Sequence, residues 1–387
     1  MKVAFIGQKG IPMKFGGVEK HVERLSVGLA KRGHKVFVYA RPWYTPKRLK
    51  KYQGVNILNI KSIRTKNLDA ISHTWRASWH AVRNKYDIIH YHGVGPSLLA
   101  WIPRVFCPKT RVVITFHCID RKHQKWGWFA RFALYLGELT AVKFAHDTIT
   151  VSKVLQMYCS DKYSSNTVYI PNGIELPKKV AINQAKKFNL KKDEYILFLS
   201  RLVKHKGVQY LIDAYEQINT DKKLVIAGGS AFTDDYVKQI KEQAKDNPNI
   251  IFTGNVQGGS RLWQELYSNA SLMVHPSESE GLPIVVLEGM SFGLPILVSD
   301  IPENMEAISG GFGFSFENKN VQDLKDKLQY VLECPELAKK VGQDARVHVD
   351  KNYNWKDIVL SVERVYEDVI HDHAQNKNYK KIHCINC

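Results

Sequence analysis

Short apolar runs recur along the chain and alternate with longer segments of helical periodicity. In the first half, runs typical of buried parallel strands occur at residues 2–7, 36–39, 87–93, 112–117, 148–151 and 168–174. Between residues 18 and 32, apolar side chains return every three or four positions, which predicts a helix with one buried face. This alternation of strand and helix predicts an α/β fold with parallel sheets.

The second half repeats the pattern. Strand-like runs occupy residues 195–200, 224–227, 250–254, 272–274 and 295–298, and helical periodicity covers residues 208–218, 262–267, 325–331, 335–349 and 355–370. A lysine-rich stretch at 177–192 without a strand pattern separates the two halves. The 387 residues therefore predict two Rossmann-like domains, 1–176 and 177–354.

Two loops that follow predicted strands carry groups suited to anions. Gly16 and Gly17 directly precede the first helix, so the backbone can approach an anion at the positive helix end, although a flexible turn explains the pair equally simply. Arg201 and Lys206 lie on the loop after the strand at 195–200. A planar guanidinium and a mobile ammonium together suit a diphosphate, and a solvated basic loop is the alternative.

The stretch from His275 to Glu306 predicts a ligand loop between two strands. Glu280 precedes a helix that begins near Pro283, and Glu288 lies eight residues after Glu280. The amides of Gly281 and Leu282 are placed to face an acceptor-rich ligand at the helix start. A carboxylate that merely stabilises the helix dipole is the simpler interpretation of Glu280.

Histidines end two successive strands of the first half. His92 and His117 close the runs at 87–93 and 112–117, where side chains of a parallel sheet meet ligands. Asp120, Arg121 and Lys125 follow His117 in the next loop. Farther along, the helical stretch at 126–146 is rich in aromatic residues, which predicts either a buried helix or one whose front end lies at a membrane surface.

Charge divides unevenly along the chain. Residues 1–175 contain 29 Lys/Arg and 9 Asp/Glu, a net charge of +20, whereas residues 176–387 contain 27 and 28, a net charge of −1. A basic first half suits anionic lipid headgroups or nucleic acid, or is simply a solvated surface. Trp75 and Trp79 lie one helical turn apart, which favours a packed core pair over membrane anchors.

Processing signals and cysteines favour a cytoplasmic protein. The chain has no run of eighteen apolar residues, and its start is too quickly polar for a signal peptide. The six cysteines are scattered and predict reduced thiols, and the terminal Cys384 and Cys387 make a weak metal motif. We therefore expect a cytoplasmic protein with peripheral contact at the inner face of the membrane.

The spacing from Glu280 to Glu288, with Pro283 between them and Gly-x-Pro after them, resembles the EX7E signature of retaining family-4 glycosyltransferases of the GT-B fold. The resemblance implies two Rossmann-like doubly wound parallel-sheet domains facing across a cleft, and residues 355–373 resemble the closing helix that crosses back onto the first domain. It also implies that Glu288 binds the donor ribose, while Glu280 and the amides that follow it contact the donor sugar.

Further motifs extend the resemblance. Residues 200–207 resemble the family's G/S-R-L-x-x-x-K-G pattern, and IPNGIE recurs across the family, which implies donor contacts by Arg201, Lys206, Gly17 and Asn172. The segment TFHCIDRKHQKW resembles the T-x-H-G-x-D-x-x-R-x-K-W pattern of a rhamnosyltransferase-like bacterial polysaccharide branch. Cys118 replaces the glycine, and the basic residues fall in a slightly different register. The resemblance implies an acceptor site that includes His92, Asp120, Arg121 and Lys125.

The resemblance implies transfer of a sugar from a nucleoside-diphosphate sugar to a glycan or lipid-linked acceptor, with His117, Glu280, Arg201 and Lys206 as catalytic residues. The chain contains no Asp-x-Asp motif, so we expect no metal and no cofactor, with cations and helix amides stabilising the leaving diphosphate instead. A nucleic-acid-binding protein would share the basic half, but no nucleic-acid-binding motif occurs. A GT-B sugar-nucleotide epimerase or hydrolase and a non-catalytic glycan-binding module are rival interpretations of the same residues.

Overall fold

The structure is a computed structural model that describes residues 1–14, 16–65, 68–122, 127–231 and 233–375. Its strands are β1 Lys2–Ile6, β2 Lys35–Ala40, β3 Lys51–Tyr52, β4 Val55–Asn59, β5 Ile88–His92, β6 Arg111–Phe116, β7 Asp147–Thr150, β8 Val168–Tyr169, β9 Tyr195–Leu199, β10 Lys223–Ala227, β11 Ile250–Gly254, β12 Leu272–His275, β13 Ile296–Ser299 and β14 Phe314–Phe316.

The α-helices connect these strands and follow the last of them. They are α1 Gly17–Lys31, α2 Asp69–Asn84, α3 Val94–Ser97, α4 Trp101–Phe106, α5 Trp128–Lys143, α6 Lys153–Tyr163, α7 Val208–Tyr215, α8 Asp234–Gln243, α9 Arg261–Asn269, α10 Ile284–Ser291, α11 Pro302–Ala307, α12 Val321–Glu333, α13 Pro335–Asn352 and α14 Trp355–Gln375. Within the described ranges, none of them has both the length and the hydrophobicity needed to cross a bilayer.

The chain divides into two compact units. Unit 1 comprises Met1–Gly173 together with the segment that begins at Trp355, and unit 2 comprises Ile174–Asn354. Each unit contains its own parallel sheet and its own hydrophobic core. Because α14 belongs to unit 1, the end of the described chain returns to the unit in which the chain begins.

Unit 1 is built on an eight-stranded sheet in the order β3-β4-β2-β1-β5-β6-β7-β8. All neighbouring pairs are parallel except β3 and β4. The central strands β5 and β6 are buried along their whole length, as expected for strands covered on both faces. The chain leaves β1 in one direction along the sheet and returns on the other side as β5, so the topological switch point lies between these two strands.

Helices cover both faces of this sheet. Right-handed crossovers put α1 on one face of the sheet. The connections that contain α2, α4, α5 and α6 move across the sheet in the opposite direction, so these helices lie on the other face. On the first face, α1 buries Val22, Leu25 and Leu29 and packs against α14. Glu363 of α14 accepts from Arg32 Nε at 2.6 Å, which fixes the two helices together.

Unit 2 contains a six-stranded parallel sheet in the order β11-β10-β9-β12-β13-β14. The chain moves outward from β9 to β11 and then returns on the opposite side of β9 as β12. The switch point therefore lies between β9 and β12, and the crevice at their carboxyl ends is where such sheets bind ligands.

Several local predictions differ from the structure. Strand β4 and helices α6 and α8 were absent from the sequence prediction, and β8 is only two residues long because the chain then leaves the sheet edge. The prediction that Trp75 belongs to the core is wrong, since Trp75 is 46% exposed beside Trp79. The described cysteines are free, and Cys384 and Cys387 lie outside the described residues.

Candidate functional site

The switch point of unit 2 brings the loop after β9 against the loop after β12. His205 O accepts from Glu278 N at 2.8 Å and from Ser277 Oγ at 3.2 Å. Gly207 has a φ of +72°, and a Cβ at this position would lie 1.8 Å from Pro276 O. Glycine is therefore required at 207, and the close approach fixes where Lys206 stands.

Lys206, Glu280 and His275 form a buried charged cluster in this crevice. The Lys206 ammonium pairs with Glu280 Oε1, which also accepts from His275 Nε2 at 2.6 Å. The Lys206 and Glu280 side chains are only 9% and 11% exposed. Burial alone raises the pKa of the Glu280 carboxyl, but Lys206 and His275 outweigh it and hold that pKa well below its usual range. Glu280 is therefore ionised at every ordinary pH.

His275 is the neutral member of the cluster. Burial lowers the pKa of its imidazole, and the hydrogen bond to Glu280 offsets only part of that effect. A neutral ring has one N–H, and Nε2 must carry it because Nε2 donates to the Glu280 carboxylate. Nδ1 is then an acceptor atom, and it is buried without a hydrogen-bond partner among the described residues. Sequence reasoning did not identify this residue, although its position at the end of a buried strand is the same signal that identified His117.

The second glutamate of the spacing lies deeper. Glu288, on the second turn of α10, is 7% exposed, and its Oε2 accepts from the Tyr267 hydroxyl at 3.1 Å. Tyr267 is fully buried and stacks on Phe292 with ring centroids 5.1 Å apart. Burial raises the pKa of Tyr267 well above its usual value, so this phenol remains a donor that orients the carboxylate.

The start of α10 presents donors beside these carboxylates. Pro283 precedes the helix, and within the described ranges the backbone N–H groups of Gly281 and Leu282 donate to no acceptor. Such amides at a helix start favour an anionic or acceptor-rich ligand. Arg201 lies exposed on the loop after β9, so its guanidinium is accessible to a ligand.

Unit 1 gathers histidines at its own switch point. His92 ends β5, His117 follows β6, and His92 Nδ1 lies 3.2 Å from His117 Nε2. His21 of α1 joins them, since its ring centroid is 5.0 Å from that of His117, and its Nδ1 lies 2.8 Å from Asn172 Oδ1. His21 was not predicted, although it lies four residues before Leu25 on the buried face of its helix.

These imidazoles are neutral. Burial lowers the pKa of His21 to about 4, and the hydrogen bond to Asn172 opposes this only in part. Burial, with neighbouring histidines adding to the effect, lowers the pKa of His92 and of His117 well below the usual value. His90, hydrogen-bonded to Tyr366 and Thr115, shows the same direction. His117 keeps 8% exposure, and its Nδ1 has no hydrogen-bond partner among the described residues. His117 can therefore hydrogen-bond a ligand without adding a charge.

His21, His92 and His117 also form a candidate metal site. The ligand atoms of His21, His92 and His117 lie within 4.8 Å of one another. Three neutral imidazoles suit a transition metal such as Zn²⁺, whereas Mg²⁺ prefers oxygen ligands. No carboxylate belongs to this group, so it does not match the oxygen-rich sites that hold Mg²⁺ on a diphosphate.

Gly16 and Gly17 lie at the start of α1. Gly16 has a φ of +104°, which favours glycine, and a Cβ there would meet the Glu19 carboxylate. Lys9 N donates to Glu19 Oε1 at 3.1 Å, so a carboxylate already accepts from the loop at this helix start. The positive helix end is thus partly neutralised from within unit 1.

Arg121, one of the predicted acceptor residues, lines a surface depression. This depression has a volume of about 630 Å³ and is lined by Arg121, Arg131, Phe132 and Tyr135. Arg121 Nε donates to the buried Glu138 at 3.0 Å, which fixes the guanidinium at the rim. Asp120 accepts from Cys118 Sγ at 3.3 Å, and Lys125 lies outside the described residues.

Two family profiles match this chain. Residues 15–178 match the profile described as Glycosyltransferase Family 4, and residues 180–348 match the one described as Glycosyl transferases group 1. An uncharacterised glycosyltransferase of Methanocaldococcus jannaschii is 27% identical, over 95% of this chain and 98% of the relative. The N,N'-diacetylbacillosaminyl-diphospho-undecaprenol alpha-1,3-N-acetylgalactosaminyltransferase of Campylobacter jejuni is also 27% identical, over 59% and 62%.

Solved structures share the fold. Sucrose-phosphate synthase from Thermosynechococcus elongatus superposes with a TM-score of 0.82 at 21% identity, over 96% of this chain and 99% of that structure. Anabaena HepE in complex with UDP-glucose gives 0.78 at 19% identity, over 95% and 100%. The predicted α/β architecture of two Rossmann-like parallel-sheet domains is confirmed, and the chain belongs to family 4 of the GT-B glycosyltransferases, which makes it a transferase of the hexosyltransferase class.

Proposed function

We propose that this chain is a retaining, metal-independent glycosyltransferase that moves a sugar from a nucleoside-diphosphate sugar to a lipid-linked or saccharide acceptor in cell-surface polysaccharide biosynthesis. The observation that carries the proposal is the grouping of Lys206, Glu280, Glu288 and the amides of Gly281 and Leu282 at the β9/β12 switch point. A cation, bare helix amides and a deep carboxylate match a diphosphate joined to a ribose.

In the proposed donor complex, unit 2 binds the nucleotide. The Glu288 carboxylate, oriented by Tyr267, accepts hydrogen bonds from the ribose hydroxyls. Lys206 and the exposed Arg201 neutralise the diphosphate, and Glu280 holds the Lys206 ammonium at the crevice until the donor arrives. The relatives fit this assignment, since the Anabaena structure contains UDP-glucose.

The proposed reaction exchanges one bond at the anomeric carbon for another. The bond from this carbon to the diphosphate oxygen breaks, and the acceptor hydroxyl oxygen forms a new bond on the same face of the sugar. The acceptor proton passes to the departing diphosphate oxygen, so no protein base is needed. Lys206, Arg201 and the helix amides stabilise the negative charge that develops on the diphosphate. Such electrostatic stabilisation of the transition state is usually the largest single contribution to enzyme catalysis.

Unit 1 contributes neutral hydrogen-bonding groups in this proposal. His117, with Nδ1 available and a strongly lowered pKa, hydrogen-bonds a sugar hydroxyl without introducing a positive charge near an oxocarbenium-like carbon. Arg121 and Tyr135 at the surface depression contact the acceptor. The Campylobacter relative acts on an undecaprenol-linked diphospho-sugar by its name, which supports an acceptor of this type.

We also propose peripheral contact with an anionic membrane through one face of unit 1. The helices α2, α4, α5 and α6 lie on the same side of the sheet, and exposed apolar side chains project from all four, at Trp75, Val105, Phe106, Trp128, Phe129, Phe132, Leu136 and Met157. Trp128 is 82% exposed. An exposed aromatic surface on the basic part of the chain suits a lipid interface.

The test is a transfer assay with UDP-, GDP-, ADP- and dTDP-sugars and a polyprenyl-diphosphate-linked saccharide acceptor. We expect one donor class to be consumed only when acceptor is present, with NMR showing the donor's anomeric configuration in the product. An inverted product would contradict retention. Epimerised or hydrolysed donor formed equally well without acceptor would replace the transferase proposal by one of the rival activities.

Membrane contact has its own test. Vesicle flotation should recover the chain with anionic vesicles at low salt and lose it as ionic strength rises, because charge attraction is screened. Equal recovery at low and high salt, or none with anionic vesicles, would contradict the charge-based part of the proposal.

A further inference from the structure

A cluster of two arginines and a histidine lies at the amino edge of the unit 1 sheet, at the opposite end of the strands from His92 and His117. Arg111 is the first residue of β6, and His146 directly precedes β7. Arg104, on α4, reaches the same point. Because β6 and β7 are parallel, both side chains lie at the edge opposite to the carboxyl-end crevice.

The hydrogen bonding at His146 contains more donors than acceptors. Val112 N donates to His146 Nδ1 at 2.9 Å, so the proton of a neutral ring is on Nε2. Yet Arg111 Nη1 lies 2.6 Å from that Nε2, and Arg104 Nη1 also contacts it. The other tautomer only moves the conflict to the Val112 amide. Burial and then the two arginines lower the pKa of His146 to about 3, so protonation does not resolve it.

Arg111 adds further donors to this surplus. Arg111 is 7% exposed, and its Nε and Nη2 are buried without a hydrogen-bond partner. No carboxylate in the described part of the chain forms an ion pair with Arg104 or Arg111, and the pKa of Arg111 is lowered by burial and by the charge of Arg104. Two adjacent guanidiniums without a counter-charge are unfavourable, and a multivalent oxygen acceptor would satisfy them together.

The surroundings of the cluster indicate the source of that acceptor. Val105 and Phe106 follow Arg104 directly, and Phe106 is 52% exposed, while Phe144 lies exposed two residues before His146. Apolar side chains around a cationic site match a phosphate at the boundary between headgroups and acyl chains.

We propose that Arg104, Arg111 and His146 bind the phosphate of an anionic membrane phospholipid. The guanidiniums donate to phosphate oxygens, the His146 Nε2–H becomes a third donor, and the exposed Val105, Phe106 and Phe144 insert among the acyl chains. This site rests on the membrane contact proposed above but is separate from the proposed donor site, so its failure and the failure of the transferase proposal can be distinguished.

The experiment compares Arg104→Gln with Lys109→Gln in the full chain. Both residues are exposed and both changes remove one positive charge from the same segment, but only Arg104 contacts His146. Binding to vesicles of phosphatidylcholine with phosphatidylglycerol is measured by sedimentation. One basic residue near an anionic surface contributes about fivefold in binding. We expect a loss of about that size for Lys109→Gln and a loss at least several times larger for Arg104→Gln.

The remaining measurements make each outcome decisive. Equal losses for the two variants would overturn the proposal, because a general surface charge would then explain binding. Inorganic phosphate that protects the chain from thermal unfolding as well as short-chain phosphatidylglycerol does would overturn the lipid assignment. Arg104→Gln should unfold at no lower temperature than the unchanged chain in the absence of lipid, since it removes a like-charge contact, and should leave the thermal shift by sugar nucleotides unchanged.

Discussion

Replacing Lys206 separates the structural from the catalytic contribution of the charged cluster in unit 2. Lys206→Met leaves the Glu280 carboxylate, 11% exposed, with His275 as its one remaining partner among the described residues. Breaking a buried ion pair on one side costs about 3–5 kcal/mol because the remaining charge stays uncompensated. We therefore expect a loss of about 3–5 kcal/mol in the free energy of unfolding of unit 2.

The companion change removes the other charge. Glu280→Gln alone leaves a buried ammonium but retains an oxygen for the His275 hydrogen bond, so we expect a smaller loss. In the double variant Lys206→Met with Glu280→Gln, neither charge remains, and stability should return to within about 1 kcal/mol of the unchanged chain. Lys204→Met, exposed in the same loop, is the matched control and should change stability by less than about 0.5 kcal/mol.

Urea unfolding of the full chain measures these values, and the transfer assay is run on the same samples. The double variant should be stable but should turn over about 10²–10³-fold more slowly, because a preorganised cation for the leaving diphosphate is gone. Additive losses in the double variant would refute the reasoning about the pair. Full turnover in a stable double variant would refute the role of the cluster in catalysis.

Three further predictions follow from the two units. Glu288→Gln should weaken nucleotide binding by about 1.5–3 kcal/mol in calorimetry, as expected for the loss of a hydrogen bond to a charged group. Tyr267→Phe should weaken binding only a few-fold, and equal effects of the two changes would count against direct contact between Glu288 and the ribose. The pKa of His21 is 6.5 in the unfolded chain and about 4 in the folded chain, so the free energy of unfolding should fall by about 3 kcal/mol as the pH drops from above 6.5 to below 4. His21→Gln should remove one proton from the uptake measured on unfolding in this pH range. If the variant left the pH dependence of the free energy of unfolding unchanged, the burial argument would be contradicted. Excess EDTA should leave turnover unchanged, and a loss restored by Mg²⁺ or Mn²⁺ would contradict metal independence.

The fold was predictable because parallel strands and amphipathic helices have clear periodicity. The runs at 2–7 and 112–117 became β1 and β6 within one residue, because strands covered on both faces are apolar throughout. Strand β4, which is next to the edge strand of its sheet, was missed. β4 reads as a mixed polar segment, VNILN, since it lies near the sheet edge and has no continuous apolar run.

Strand periodicity alone identified site residues where they follow strand ends, whereas Glu288 was identified from its spacing to Glu280. Arg201, Lys206, His92 and His117 were found because the carboxyl edge of a parallel sheet binds ligands. His21 and His275 were missed. His21 lies on a helix, and its partner Asn172 is 151 positions away along the chain. His275 ends an apolar strand, and it is joined to Glu280 through the loop that follows this strand. The donor excess around His146 has no sequence pattern at all, because it depends on which ring nitrogen meets the Val112 amide.

The central claim is that unit 2 binds the nucleoside-diphosphate part of a sugar donor through Lys206 and Glu288. Isothermal titration of UDP-, GDP-, ADP- and dTDP-sugars into the unchanged chain, the Glu288→Gln variant and the stable Lys206→Met, Glu280→Gln double variant tests it most directly. We expect one nucleotide class to bind, and both variants to bind it at least tenfold more weakly. Equal affinity in all three proteins, or no binding of any of the four nucleotides to the unchanged chain, would contradict the account.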